Sequence, residues 1–291
     1  MNKVYQIVTD RIVAQMDKGI IPWKQPWAVS GDEWNSPRNW ITKKAYRGIN
    51  VMLLGSAGYE CPHWATYNQL KSIGGMVKKG EKSSPIVFWS KTSYKDKDND
   101  DEERQSFILR YYNAFNLEQV DGVEIPVTVP PEEVDTFTPI EKAERLVERI
   151  PNRCPIKSGG SKAFYSPYRD FVMMPDAIKF IGPEEYYSTL LHELAHSTGH
   201  TSRLGRFKDN QADSKGTKGY AREELRAELA SCYLMNDLKI RTTETEENSV
   251  AYLQFWKQSL IDDPTIIMST AGKAQEICDY IHNRKRKGED E

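Results

Sequence analysis

Two histidines four residues apart, His192 and His196, with Glu193 directly after the first, constrain the fold of this chain more than any other feature. Spacing of i and i+4 puts both imidazoles on one face of a helix, a turn apart, where a single metal ion can take both. The segment is therefore expected to be helical. Pro183 suits the first turn of that helix, and Leu190, Leu191, Leu194 and Ala195 supply an apolar wall that excludes water. In the HExxH pattern the glutamate is the general base that takes a proton from a water on the metal. So short a pattern also arises by chance. The amphipathic helix around it and an acidic candidate ligand downstream separate this case from that one.

A third ligand decides the kind of site. An HExxHxxGxxH pattern would need a histidine at position 202; Gly199 fits it, but Ser202 removes the three-histidine version. His200 continues the i+4 series, yet Gly199 is expected to end the helix before it. Better candidates lie on a later helix that opens at Tyr220, where Glu224 and Glu228 share a face, as Glu223 and Ala227 do. Glu224 is read as the third ligand and Glu228 as the carboxylate that holds a ligand histidine from behind. An acidic helix face in solvent is the plainer alternative. Tyr220, one turn before Glu224, is the candidate donor to a tetrahedral oxyanion; a core tyrosine would look the same. Zn2+ is the expected ion, with Mn2+ the alternative. Residues 171–174 read as an edge strand for an extended substrate, or equally as a plain core strand.

The chain has 291 residues, enough for two domains. The stretch 122–139 carries Pro126, Pro130, Pro131 and Pro139 and is the linker candidate, which leaves a first domain over 1–121 and a second over 140–291. In the first, residues 3–18 repeat apolar positions at helical spacing, and 49–54 and 65–73 read as short helices. Residues 86–89 and 107–115 read as paired strands joined through a charged tip from Lys95 to Arg104. In the second, helices are expected over 140–150, 183–199, 220–237, 246–262 and 265–283, and a strand over 163–174 broken at Pro167. Both parts mix helices and strands, so the fold class is α+β.

Charge is divided between the parts. Residues 1–95 hold 14 Lys and Arg against 6 Asp and Glu, a balance of +8; the whole chain is −2, so the remainder carries −10. Six of the seven tryptophans also lie in that first third, and only Trp256 lies outside it. A positive groove with aromatic faces is what single-stranded nucleic acid needs. Trp23, Trp27, Trp40 and Trp64 are the candidate stacking rings; Lys43, Lys44 and Arg47 flank Tyr46; Lys78, Lys79 and Lys82 surround the turn at Gly80, whose amides suit phosphate. Composition alone leaves a second reading open, in which the tryptophans are core and the lysines an ordinary solvated face.

Four widely spaced cysteines, Cys61, Cys154, Cys232 and Cys278, form no CxxC pair. A reduced, cytoplasmic protein is expected. No stretch approaches the roughly 20 apolar residues of a membrane span, and residues 1–6 lack the apolar core of a secretion signal.

Several longer words go further. The segments 46–50 (YRGIN), 64–67 (WATY), 74–81 (GGMVKKGE) and 112–116 (YNAFN) resemble the N-terminal domain of the ArdC antirestriction family. The segments 165–167 (YSP), 174–175 (MP), 192–196 (HELAH), 198–200 (TGH), 203–204 (RL) and 223–228 (EELRAE) resemble that family's C-terminal domain. The resemblance implies a single-stranded-DNA-binding domain, with Asn50 joining the contact residues, fused to a zincin-like metallopeptidase domain. It also implies a mobile-element protein that protects incoming DNA from restriction; the sequence leaves open whether duplex DNA is a further ligand. The partner would be a DNA-associated protein substrate or the restriction enzyme itself, and no membrane. A shield that coats DNA and carries an idle or structural metal site is the alternative.

Overall fold

A computed structural model describes residues 3–18, 22, 37–95, 103–125, 139–208, 217–240 and 247–284. Two compact units divide the chain, and the division departs from the expected boundary. Unit 1 comprises residues 1–131 together with 253–265; unit 2 comprises 132–252 and 266–291. Part of the expected linker, 126–138, lies outside the described residues, as do Trp23, Trp27 and residues 96–102 of the charged tip.

Unit 1 opens with helix α1 (Lys3–Met16), which buries Val4, Val8, Ile12 and Met16, the apolar positions that repeat in its sequence. Its sheet, among the described residues, has the order β1 (Arg38–Asn39), β2 (His63–Thr66), β5 (Glu103–Asn116), β4 (Ser84–Lys95). β4 and β5 form a long antiparallel hairpin whose register runs unbroken from Ser84↔Ala114 to Lys95↔Glu103. Helix α2 (Ile49–Gly55) packs on β4, and Leu54 with Tyr46, Trp64, Ile86 and Ala114 makes one core cluster. Helix α3 (Tyr67–Ser72) starts on a reciprocal capping box between Thr66 and Gln69. Cys61, Ala65, Leu70, Leu117 and Val120 form a second cluster; nearby, β3 (Met76–Val77) pairs with β6 (Val120–Asp121).

Trp256 is 4% exposed and Leu260 is fully buried, on the segment that belongs to unit 1 despite its late position. There the Thr9 hydroxyl donates to the Pro264 carbonyl at 3.1 Å, and Lys257 pairs with Asp17. The one tryptophan that composition set apart thus rejoins the others.

The first described element of unit 2 is helix α4 (Pro139–Glu148). Its three-stranded sheet, among the described residues, runs β7 (Ile156–Ser158), β9 (Phe171–Met174), β8 (Phe164–Ser166), with β7 parallel and β8 antiparallel to β9. β9 is therefore central, which corrects its reading as an edge strand; the antiparallel edge is β8. Helix α5 (Pro183–Ser197) has Pro183 at its start, Glu184 and Glu185 in its first turn, where its dipole favours negative charge, and a buried stripe at Tyr187, Leu190, Leu191, Leu194 and Ala195. Helix α6 (Lys218–Asp237) is capped by the Thr217 hydroxyl, which accepts from the Tyr220 amide. Helix α7 (Glu247–Asp262), which passes into unit 1 at residue 253, and helix α8 (Ile266–Ile281) follow, and α6 packs on both α5 and α8. No helix among the described residues is long and apolar enough to cross a membrane.

Candidate metal centre

Two packed helices build the site, α5 with the histidines and α6 with the carboxylates. Nε2 of His192 and Nε2 of His196 lie 3.1 Å apart. Glu224 reaches both, Oε2 at 3.6 Å from the first and Oε1 at 3.7 Å from the second. The opposite ring nitrogens meet other acids of α6: Nδ1 of His192 lies 3.5 Å from Glu228, and Nδ1 of His196 lies 3.7 Å from Glu223. Carboxylates behind both Nδ1 atoms favour the Nδ1–H tautomer. That tautomer turns two bare Nε2 lone pairs toward each other and toward an anionic oxygen. Such a cluster of lone pairs calls for a cation. Donors about 2.0–2.2 Å from one ion in tetrahedral array stand roughly 3.3–3.6 Å apart, close to the separations here. The donor set fits one divalent metal ion, and His192, His196 and Glu224 are the group whose ligand atoms converge.

Electrostatics follow from the same contacts. Burial opposes charge on His192, but Glu224 and Glu228 outweigh it and lift the imidazole to about 10. For Glu223, burial favours the neutral acid, yet His196 and Arg206 hold it at about 2. Burial likewise raises Glu224, and the two histidines bring it well below the usual carboxylate range. Protons and metal compete for these groups, so metal binding releases protons.

Glu223 and Arg206 are site residues that the sequence did not single out. Arg206 Nη2 donates to Glu223 at 2.6 Å and to the Ala195 carbonyl at 3.1 Å, and its Nη1 donates to the Thr198 hydroxyl at 2.7 Å. One guanidinium thus ties the end of the histidine helix to the acid behind His196. The turn that brings it there depends on Gly199, where a Cβ would stand 2.5 Å from the Phe207 ring. His200 is not a ligand: the helix ends at Ser197, and His200 Nδ1 lies 2.8 Å from the Ser202 hydroxyl.

A cleft of about 400 Å3 opens over the donors, lined by Glu193, Tyr220, Phe164, Tyr165 and Phe207 among others. Tyr220 hydrogen-bonds to Glu224; burial first, and then that carboxylate, push its hydroxyl to about 12. It therefore stays protonated at neutral pH. The edge strand β8 contributes Phe164 and Tyr165 to the wall. Behind it Arg203 bonds Ser197, Asn152, Tyr165 and Asp170, pinning the β8–β9 hairpin to the end of α5.

The DNA-contact candidates of unit 1 divide. Lys43, Lys44, Arg47, Lys79 and Lys82 are exposed, and exposed Lys78 donates to the Glu118 carbonyl at 2.8 Å. Trp40 is half-buried, with the Lys43 ammonium 3.2 Å above its ring. Trp64, Tyr46 and Asn50 need correction. Trp64 is 1% exposed and offers no face to a base. Tyr46 is buried in the same cluster, and the Asn50 amide is spent on both backbone groups of Val87, at 2.8 Å each.

Residues 2–115 match the N-terminal domain of anti-restriction factor ArdC, and residues 141–273 match a zincin-like metallopeptidase family. The crystal structure of the antirestriction protein ArdC of plasmid R388, metal-free, matches with a TM-score of 0.74 at 33% identity, over 97% of this chain and 99% of that one. The chain belongs to the ArdC antirestriction family. The Mn(II)-bound structure of that ArdC matches with a TM-score of 0.73, also at 33% identity, over 96% and 97% of the two chains. The uncharacterized protein y4eC of Sinorhizobium fredii is 34% identical over 96% of this chain and 91% of its own length. Two DNA primases TraC of Escherichia coli are 32% and 34% identical over 95% of this chain, which spans only 20% and 27% of their length.

Proposed function

We propose that this ArdC-family chain is an antirestriction protein of a mobile element that holds single-stranded DNA with unit 1 and carries a working metal-dependent peptidase site in unit 2. It would act in the cytoplasm, on a DNA-associated protein such as a restriction enzyme. The observation that carries the peptidase reading is the pairing of a convergent donor set with Glu193 in the same cleft. A purely structural site has no need of a base beside its ligands.

His192, His196 and Glu224 would hold the ion, with Zn2+ the expected metal. A divalent ion held there would supply Lewis acidity toward water and the scissile carbonyl. Glu193 would take a proton from the attacking water and pass it to the leaving amine. The Tyr220 hydroxyl, protonated at neutral pH, donates to the carbonyl oxygen as it gains charge. Glu228 and Glu223 orient the two imidazoles. An extended substrate would lie along β8, the antiparallel edge beside the cleft, by backbone pairing.

Glu193→Gln tests the reading, because it removes the base and leaves the donors. Expected results are unchanged metal content and melting temperature, with protein cleavage and antirestriction both lost. Antirestriction at the wild-type level in this variant would instead establish a DNA shield with an idle metal site.

A further inference from the structure

The β4–β5 hairpin carries an aromatic face that the core does not use. Its register sets Ile86 opposite Tyr112, Phe88 opposite Arg110 and Ser90 opposite Ile108. Cross-strand partners share a face, so these six side chains point the same way. Ile86 is 1% exposed and belongs to the core cluster with Trp64. Across from it and farther out the face is bare: Tyr112 is 45% exposed, Phe88 44% and Ile108 40%, and Arg110 is also exposed. The Phe88 and Tyr112 rings stand 6.1 Å apart, and buried Tyr46 braces Phe88 from within at 6.3 Å. Arg110 sits on β5 between Tyr112 and Ile108, directly opposite Phe88.

Single exposed apolar residues are ordinary, but a contiguous group in register marks a contact surface. Two observations choose the occupant. Arg110 sets an exposed cation on the same face as the rings, directly across from Phe88. Exposed Lys43, Lys44 and Arg47 also flank Tyr46, whose ring braces the platform. Aromatic faces interleaved with cations suit bases and phosphates together.

We propose that Phe88, Tyr112 and Arg110 form the platform on which unit 1 holds single-stranded nucleic acid, the rings stacking on bases and the guanidinium taking a phosphate. The proposal rests on the DNA-binding reading above and deepens it. Trp89 (59% exposed) and Tyr111 (44%) lie on the reverse face of the same hairpin and serve as its control.

The test is fluorescence anisotropy of the full-length protein with a labelled oligothymidylate. Phe88→Ala and Tyr112→Ala should each weaken binding roughly tenfold. Arg110→Gln should flatten the slope of log affinity against log salt by about 0.7. Trp89→Ala should stay within twofold of wild type. Phe88→Leu and Tyr112→Leu keep an apolar side chain without a π face, so the same loss at an unchanged melting temperature excludes misfolding as its cause. Wild-type affinity in the Phe88→Leu, Tyr112→Leu double variant would overturn the platform while leaving DNA binding intact, and would turn this face over to a protein partner. An equal loss in Trp89→Ala would overturn the choice of face. Failure of the wild-type protein to bind at low salt would sink the DNA-binding reading and the platform with it.

Discussion

Three acids within two turns of α6 do three different things because each meets a different atom. Glu224 faces both Nε2 atoms, Glu228 faces Nδ1 of His192, and Glu223 faces Nδ1 of His196 while paired to Arg206. Removing the first takes away a donor; removing either of the others only loosens a ring. Glu224→Ala should therefore emerge from purification nearly free of metal. Glu223→Gln and Glu228→Gln should retain the ion but bind it about 10–100-fold more weakly, measured by competition with a chelating dye. Equal affinity in all three variants would show that the ion is held elsewhere. Helical spacing made His192, His196, Glu224 and Glu228 legible in the sequence. Glu223 is not, because consecutive helix positions point about 100° apart and spacing alone lets only one of the two face the ion. The two imidazole rings span that gap, and Arg206 approaches from 17 residues away. No local spacing encodes either fact.

At the scale of elements, the long helices and the β4–β5 hairpin could be read from periodicity, whereas the place of each strand in its sheet could not. A period of two marks a strand without saying which strands flank it. Phe171–Met174 was recognisable as a strand and turned out central, with β7 and β8 on either side. Tryptophan content likewise said nothing about burial, and Trp64 went to the core. The β8–β9 hairpin is held by a buried Arg203, whose side chain is 1% exposed, against Asp170. Burial raises the Asp170 pKa, but hydrogen bonds from Arg203 and Tyr165 outweigh it and leave it below its ordinary value. A folded-state pKa below the unfolded one gives stability that is present above the unfolded pKa and lost as pH falls through the folded one. Acid should therefore weaken this clamp below about pH 4, where free aspartate protonates. Asp170→Asn should have a lower melting temperature than wild type at pH 7, and the difference should shrink toward pH 3. A constant difference across that range would mean that Asp170 contributes by packing alone.

For the whole molecule, the chain does not respect a single boundary. Residues 253–265 return to unit 1, bringing buried Trp256 and Leu260 and meeting Thr9 of α1 and Asp17 just after it. That segment carries large apolar side chains, and Trp256 and Leu260 on it are buried. A fragment of unit 1 cut at the proline-rich segment would thus leave these buried side chains behind. Burying a Trp or Leu side chain is worth about 1.5–3 kcal/mol, and a domain has only about 5–15 kcal/mol of net stability. The fragment 1–131 is expected to unfold at a lower temperature than unit 1 in the full chain and to bind a hydrophobic dye. Trp256→Ala in the full chain should reproduce much of that loss and weaken oligonucleotide binding through unit 1, while the metal content of unit 2 stays unchanged. Calorimetry of the fragment and variant, read beside metal analysis, separates the two units. A fragment 1–131 as stable as unit 1 in the intact protein would show that the returning segment is attached to it without supporting it.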